Sequence, residues 1–225
     1  MSFTYFGTGK GDYQLQQTTN NGRVFQYMGT GLGDYLAVRK LPAPEKSQVY
    51  SANVEYALNE GVIGTDVSLS NYDLNGFSSK DNDQNIGYAA RLYANKTFRK
   101  NTWTGTPMLE YQMIQKNFHI LDRINNVDFW RDFNLTNEFS QITQNRFIFS
   151  FLNDFGKTSK INYKLNYLEE TDTYKGIKND LDAVWKVGKF NNLAAISYLD
   201  TKSTDLNTIF IRGGSSTEIE RKKGR

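Results

Sequence analysis

Between Val49 and Phe98 apolar and polar side chains alternate through three successive runs. Tyr50, Ala52, Val54, Tyr56 and Leu58 share one parity, with Ser51, Asn53 and Glu55 on the other. Ile63, Thr65, Val67 and Leu69 oppose Gly64, Asp66, Ser68 and Ser70. Ile86, Tyr88, Ala90, Leu92, Ala94 and Phe98 oppose Arg91, Asn95 and Thr97. A strand points successive side chains to opposite faces, so each run reads as a strand with one apolar and one polar side. Asn59-Glu60-Gly61 and a polar loop over Asp73–Asn85 join them, which predicts an antiparallel up-and-down meander.

The pattern continues. Trp103, Gly105, Pro107, Leu109, Tyr111 and Met113 form a fourth apolar parity, with Pro107 marking a weak point or bulge. Phe118–Ile124 fits a helical turn or a strand equally. Val127–Phe139 sets Phe129, Phe133, Leu135 and Phe139 against Asp128, Asp132, Asn134 and Glu138 and is expected to be a strand. Arg131, on its apolar side, is expected to snorkel near an interface. Phe147, Phe149, Phe151 and Phe155 make the most apolar face, suited to lipid or a core more than to a ligand platform. Three runs follow: Ile161–Tyr167, Leu181–Val187 after a loop over Glu169–Lys178, and Phe190–Leu199. A last run covers Leu206–Arg212. About nine runs follow residue 48, and most approach the ~10 residues of a barrel strand.

Residues 1–48 differ. Phe6-Gly-Thr-Gly-Lys-Gly-Asp-Tyr13 returns as Met28-Gly-Thr-Gly-Leu-Gly-Asp-Tyr35. A dinucleotide fingerprint would need Gly where Asp12 and Asp34 stand, and a phosphate loop would need Ser or Thr after Lys10. Nucleotide binding is therefore not expected. The glycines are read as bends and close approaches, with Asp12 and Asp34 bonded to local backbone. The division expected is 1–48, a Gly-rich repeat region, and 49–225, the meander.

Alternation alone does not choose between a membrane barrel and a soluble sheet. Hydrophobic residues are 38% of the chain and mean hydropathy is -0.62, yet aromatics reach 14%. That balance suits sheets with a single apolar face. Three features favour the barrel. The polar parity carries charges of both signs (Glu55, Asp66, Arg91, Glu110, Asp132, Arg146, Lys164, Asp180, Lys186). Tyr50, Tyr56, Phe98, Trp103 and Tyr167 sit near run ends, as interfacial girdles do. Short turns alternate with longer loops. A net charge of +3 with interspersed signs gives no nucleic-acid stripe, and without cysteine there is no disulfide or thiolate site.

The double Gly-x-Gly-x-Gly-Asp-Tyr, Leu41-Pro42-Ala43-Pro44, the stretch Ser70–Asp81 and Phe129–Asn134 resemble segments of very large outer-membrane proteins of Bacteroidota. The resemblance covers most of residues 3–140. It implies an outer-membrane β-barrel region of a longer polypeptide and transfers no catalytic residue. Met1–Tyr5 lacks a basic segment and an apolar stretch, and Glu218–Arg225 is charged, so both ends are expected to be cut.

For chemistry, Asp73 and Asn75 with Asp81 and Asp83 form a weak calcium candidate, since oxygen ligands at alternate positions suit that ion. The bland reading is Asx turns in a solvated loop. His119 is the single histidine and has no second His or Cys for a transition-metal site. Glu169-Glu170 is read as a solvated loop pair, so no catalysis and no cofactor is expected. The expectation is an all-β, antiparallel up-and-down meander, part of a transmembrane β-barrel in a Gram-negative outer membrane. Its role is structural or in transport, and its partners are outer-membrane lipid and envelope or secretion proteins. The alternative is a soluble extracellular module binding glycan or protein, with loop aromatics such as Tyr174 exposed for stacking.

Overall fold

The computed structural model describes residues 2–19, 22–38, 43–80, 82–121, 125–135, 141–204 and 206–219. The chain divides into two compact units, Met1–Pro44 and Glu45–Arg225. Leu41, Pro42, Asp81, the stretch 122–124, Glu138 and Phe139 lie outside the described residues.

The first unit is a four-stranded sheet ordered β1-β4-β2-β3. Its strands are β1 (Ser2–Tyr5), β2 (Tyr13–Thr19), β3 (Gly22–Tyr27) and β4 (Tyr35–Val38). The two repeat copies interlock about their centre. Gly11 N–H donates to Gly33 O at 2.7 Å and Gly33 N–H returns the bond to Gly11 O at 2.8 Å. A Cβ at Gly11 or Gly33 would stand 2.5 Å from the backbone of Tyr35 or Tyr13, so the crossing requires glycine. Asp12 and Asp34 do not bond local backbone, as their sequence suggests. Asp12 Oδ1 accepts from Gly31 N–H at 2.9 Å, and Asp34 Oδ1 accepts from Gly9 N–H at 3.0 Å. Each carboxylate holds the loop of the other copy. Phe3 stacks on its repeat equivalent Phe25 at 4.2 Å.

The second unit is an antiparallel sheet of long strands. In order they are β5 (Lys46–Leu58), β6 (Gly61–Asp73), β7 (Ile86–Lys96), the short β8 (Phe98–Lys100) and β9 (Trp103–Ile114). Then come β10 (Gln144–Phe155), β11 (Ser159–Glu170), β12 (Tyr174–Val187), β13 (Phe190–Ser203) and β14 (Asn207–Ile219). Each long strand pairs with its chain neighbours, from β5 at one edge to β14 at the other, and β8 extends the line of β7 along β9. The β7–β9 ladder stops at Asn95–Met108 and resumes as β8 at Phe98–Gly105. Pro107 lies in that gap and has no N–H to give. Thr97 and Thr106 bridge it through their hydroxyls at 3.0 Å.

The sheet is curled, and among the described residues its edges do not meet. Antiparallel pairing reverses direction at every step along the nine-strand path, so β5 and β14 run the same way. The turns at residues 59–60, 101–102, 156–158 and 188–189 all fall at one end. The opposite end carries loops 74–85 and 115–143 and the short turns 171–173 and 204–206.

Two expectations are corrected. Residues 127–135, the described part of the run to Phe139, are not a strand: they contain a helical turn, α1 (Phe129–Asp132), in the β9–β10 connection. Four successive residues there bring Phe129 and Phe133 to one side, the i, i+4 spacing of a helix. Residues 169–178 are not a loop. The strands run to Glu170 and restart at Tyr174, with Asp172 at φ 61 making the tight turn.

Hydrogen exchange resolved by residue tests the reciprocal capping in the first unit. Asp12→Ala should unprotect the Gly31 amide and spare Gly9, and Asp34→Ala should do the reverse. Each loses a charge-assisted bond of about 1.5–3 kcal/mol. Asp34→Ala should cost more, because Asp34 Oδ2 also accepts from Gln14 Nε2 at 3.0 Å. Exposure of the mutated loop's own amides instead would refute the exchange.

Candidate functional site

Register fixes which side chains share a face of the large sheet. Phe149 is level with Leu109 and Leu165, and Leu165 with Asn179. Tracing such pairs puts the apolar parity of every strand on one side. Among the described residues of this unit nothing covers that side. Tyr56 is 67% exposed and Ile211 69%, and Val54, Ile63, Leu92, Leu109, Phe155, Leu181 and Ile196 are also exposed. Soluble monomers rarely expose so continuous an apolar area.

Aromatics border this band in two rows. Tyr56, Phe98, Trp103, Phe155, Trp185 and Phe190 lie at or within two positions of the short-turn end of their strands. Tyr50, Tyr88, Tyr111, Phe147, Tyr167 and Tyr198 stand nearer the other end. Trp103 and Tyr111, Phe155 and Phe147, and Phe190 and Tyr198 are each eight positions apart on one strand. That is roughly 27 Å along a strand. The asparagines among them are paired rather than bare. Asn145 Oδ1 accepts from Tyr111 Oη at 2.7 Å, Asn179 Oδ1 from Tyr163 Oη at 2.7 Å and Asn153 Oδ1 from Trp103 Nε1 at 3.2 Å. Each bond satisfies an amide and an aromatic tip within an apolar setting.

The other face is polar and cross-linked. Arg91 bridges Asp66 at 3.2 Å and Glu110 at 2.9 Å, from three adjacent strands. Tyr93 Oη donates to Glu55 at 2.9 Å, and the Arg91 guanidinium stacks over the Tyr93 ring at 4.5 Å. Lys178 lies 3.1 Å from Asp132 and 3.6 Å from Asp180. These pairs set charges of opposite sign against one another on this face.

The connection carrying α1 folds onto this polar face. Phe129 and Phe133 bury against Leu168, Tyr174 and Leu199, the only cluster of buried apolar residues found among those described. Tyr174 Oη donates to Phe133 O, and Lys178 reaches Asp132. Arg146 donates to Asn166 at 2.9 Å and to Asn125 at 3.3 Å while stacking over Phe129 at 4.8 Å. Tyr174 is thus buried at 5% exposure and is no stacking platform. Arg131 does not snorkel; it is exposed and pairs with Asp128 one helical turn back. The two best-defined hollows on the described surface hold about 10 and about 50 Å³. Small-molecule sites need ~300–1,000 Å³.

The residues singled out for chemistry are dispersed. Asp73 Oδ1 accepts from Asn75 N–H at 2.9 Å, and Asn75 Oδ1 from Phe77 N–H at 3.2 Å, two successive Asx turns. Asp83 lies in the 3-10 turn Asn82–Gln84, and Asp81 is outside the described residues. Among the described residues no three His, Cys, Asp or Glu side chains gather as for a metal. His119 stacks on Tyr72 at 3.8 Å, and its backbone N–H donates to Ser70 Oγ at 2.9 Å. Glu169 and Glu170 are not a solvated loop pair. They end β11 and point to opposite faces: Glu169 pairs with Lys175 at 2.9 Å, and Glu170 is buried against Gln144 Nε2 at 2.8 Å. Comparison with protein-family models, curated proteins and solved structures finds no match for the chain.

The docking of α1 is what alternation could not reveal. Its signal was the Phe129–Phe133 spacing. Removing the more buried anchor tests it. Phe133→Ala should cost about 3–5 kcal/mol of local packing. Limited proteolysis of the full chain should then cut within 125–135 much faster, with cuts in β10 and β11 unchanged. Equal protection in variant and parent would mean that α1 is held by other contacts.

Proposed function

We propose that residues 45–225 are an arc of an outer-membrane β-barrel with a structural or transport role. Its apolar face meets lipid and its cross-linked polar face meets water. The observation that carries this reading is the exposed apolar band between two aromatic rows. The roughly 27 Å between rows, taken at the ~35–45° tilt of barrel strands, spans about 20 Å of depth, close to the ~25 Å apolar band of such barrels. Water would make that face costly, at about 25 cal/mol for each Å² of apolar surface. Hydrocarbon removes the cost. Strand lengths of 11–14 residues for the nine long strands suit a tilted crossing.

Lipid offers no partner to an edge strand, so the arc needs neighbours at β5 and β14. Those edges run in the same direction, and antiparallel completion takes an odd number of further strands. The resemblance to large Bacteroidota outer-membrane proteins agrees with an arc completed by other segments. The α1 connection lies on the water side and narrows whatever passage the complete barrel encloses.

Two measurements test the reading. Membranes of cells making the chain should retain it after carbonate and urea washes and release it only to detergent. A monodisperse chain in buffer alone, with its strand signal intact, would end the proposal. In vesicles, Phe149→Arg at the middle of the apolar band should cost about 2–4 kcal/mol of unfolding free energy. Ile148→Lys, its neighbour on the polar face and level with Glu110, should cost less than about 1 kcal/mol. Equal costs would show that the two faces meet the same medium.

A further inference from the structure

The two rims of the large sheet differ in charge. At the short-turn rim, Lys96 and Lys100 share the apolar face with Phe98, and Lys157 and Lys189 stand in the turns beside Phe155 and Phe190. All four are exposed, and among the described residues no carboxylate pairs with them. Lys96 Nζ lies 5.8 Å above the Phe98 ring, an ammonium held at the edge of the aromatic row. Arg99 is neutralised by Glu60 at 3.2 Å. The other described acids near this rim turn away: Asp154 pairs with Lys160 on the polar face, and Asp182 and Glu218 share the parity of that face. The long-loop rim also carries exposed lysines, Lys46, Lys80, Lys116 and Lys202, but there acids stand among them: Glu169 pairs with Lys175, Asp73 is level with Lys46, and Glu45, Asp83, Asp172 and Asp200 lie at the same end.

We infer that the short-turn rim binds the headgroups of anionic phospholipids, with Lys96, Lys100, Lys157 and Lys189 as the phosphate contacts. The inference rests on the barrel reading and adds which leaflet chemistry the arc selects. Its reasons are charge complementarity and depth. Aromatic rows mark the level where tails give way to headgroups, and lysine next to that level extends its stem along apolar surface and leaves its ammonium among phosphates. A surface cation near an anionic leaflet is worth roughly fivefold in partitioning, and four of them act together.

The test uses the full chain refolded with two kinds of vesicle, phosphatidylcholine alone and phosphatidylcholine with a third of its lipid replaced by phosphatidylglycerol. Co-flotation reads the partition. The chain should favour the anionic vesicles at least tenfold, and high salt should shrink the preference. A quadruple variant, Lys96→Gln with Lys100→Gln, Lys157→Gln and Lys189→Gln, should lose most of the preference while still entering phosphatidylcholine. A control at the other rim, Lys46→Gln with Lys80→Gln, Lys116→Gln and Lys202→Gln, should keep it. Equal partition of the parent into both vesicles overturns the headgroup inference and leaves the barrel reading standing. A preference that survives in the quadruple variant overturns the assignment to these lysines. Failure to enter either vesicle, with strands formed in buffer, overturns the barrel reading and the inference together.

Discussion

Backbone pairing holds the large unit together, and this decides what its side chains are free to do. Nine long strands satisfy one another's N–H and C=O groups along an unbroken path. A soluble sheet of this length gains most of its stability by burying its apolar face under a second layer. Within this unit the described residues supply no such layer, and five apolar residues are the whole of the buried cluster. The apolar face therefore depends on what surrounds the molecule. That face carries apolar side chains between aromatic borders, with amides bonded to tyrosine and tryptophan tips.

The polar face follows the opposite logic. Some of its charges meet partners from adjacent strands, as in the Asp66–Arg91–Glu110 line. Exposed pairs of this kind add little stability each. Their effect is on register: a one-residue slip would carry Arg91 to the apolar side and strand two carboxylates. The α1 connection settles on this face because it brings its own apolar residues. Phe129 and Phe133 find Leu168, Tyr174 and Leu199 where the polar parity happens to carry apolar or aromatic side chains. Asp132 and Lys178 then fix the rim of the contact.

The small unit solves the same bonding problem in a different way. A repeat of 22 residues supplies each half with a glycine crossing and an aspartate aimed at its twin. Neither copy is complete alone, because the amide capped by Asp12 lies in the second copy and the amide capped by Asp34 lies in the first. The glycines at 11 and 33 serve close backbone approach, and those at 9 and 31 adopt φ 70 and 71, where side chains are disfavoured.

Strand identity, the two faces and the short turns were legible in the amino-acid order, because a strand's side-chain period is local and a run such as Ile161–Tyr167 shows it without help. The aromatic borders were partly legible: Tyr56 and Trp103 stood near run ends, but only register shows that they form one row with Trp185 and Phe190. Three things were not legible. The two-residue period of Val127–Phe139 predicts a strand, but Phe129 and Phe133 also stand at helical spacing, and contact with Leu168 and Leu199 goes with the helical turn. Glu169 and Glu170 looked like loop residues until pairing with β10 and β12 carried the strands through them. The partner of Asp12 lies nineteen residues away, and no local rule points there. What the sequence alone determined is thus the period-two segregation of apolar from polar side chains. Tertiary structure decided which distant groups meet, because register and docking are set by bonds between segments that no local pattern encodes.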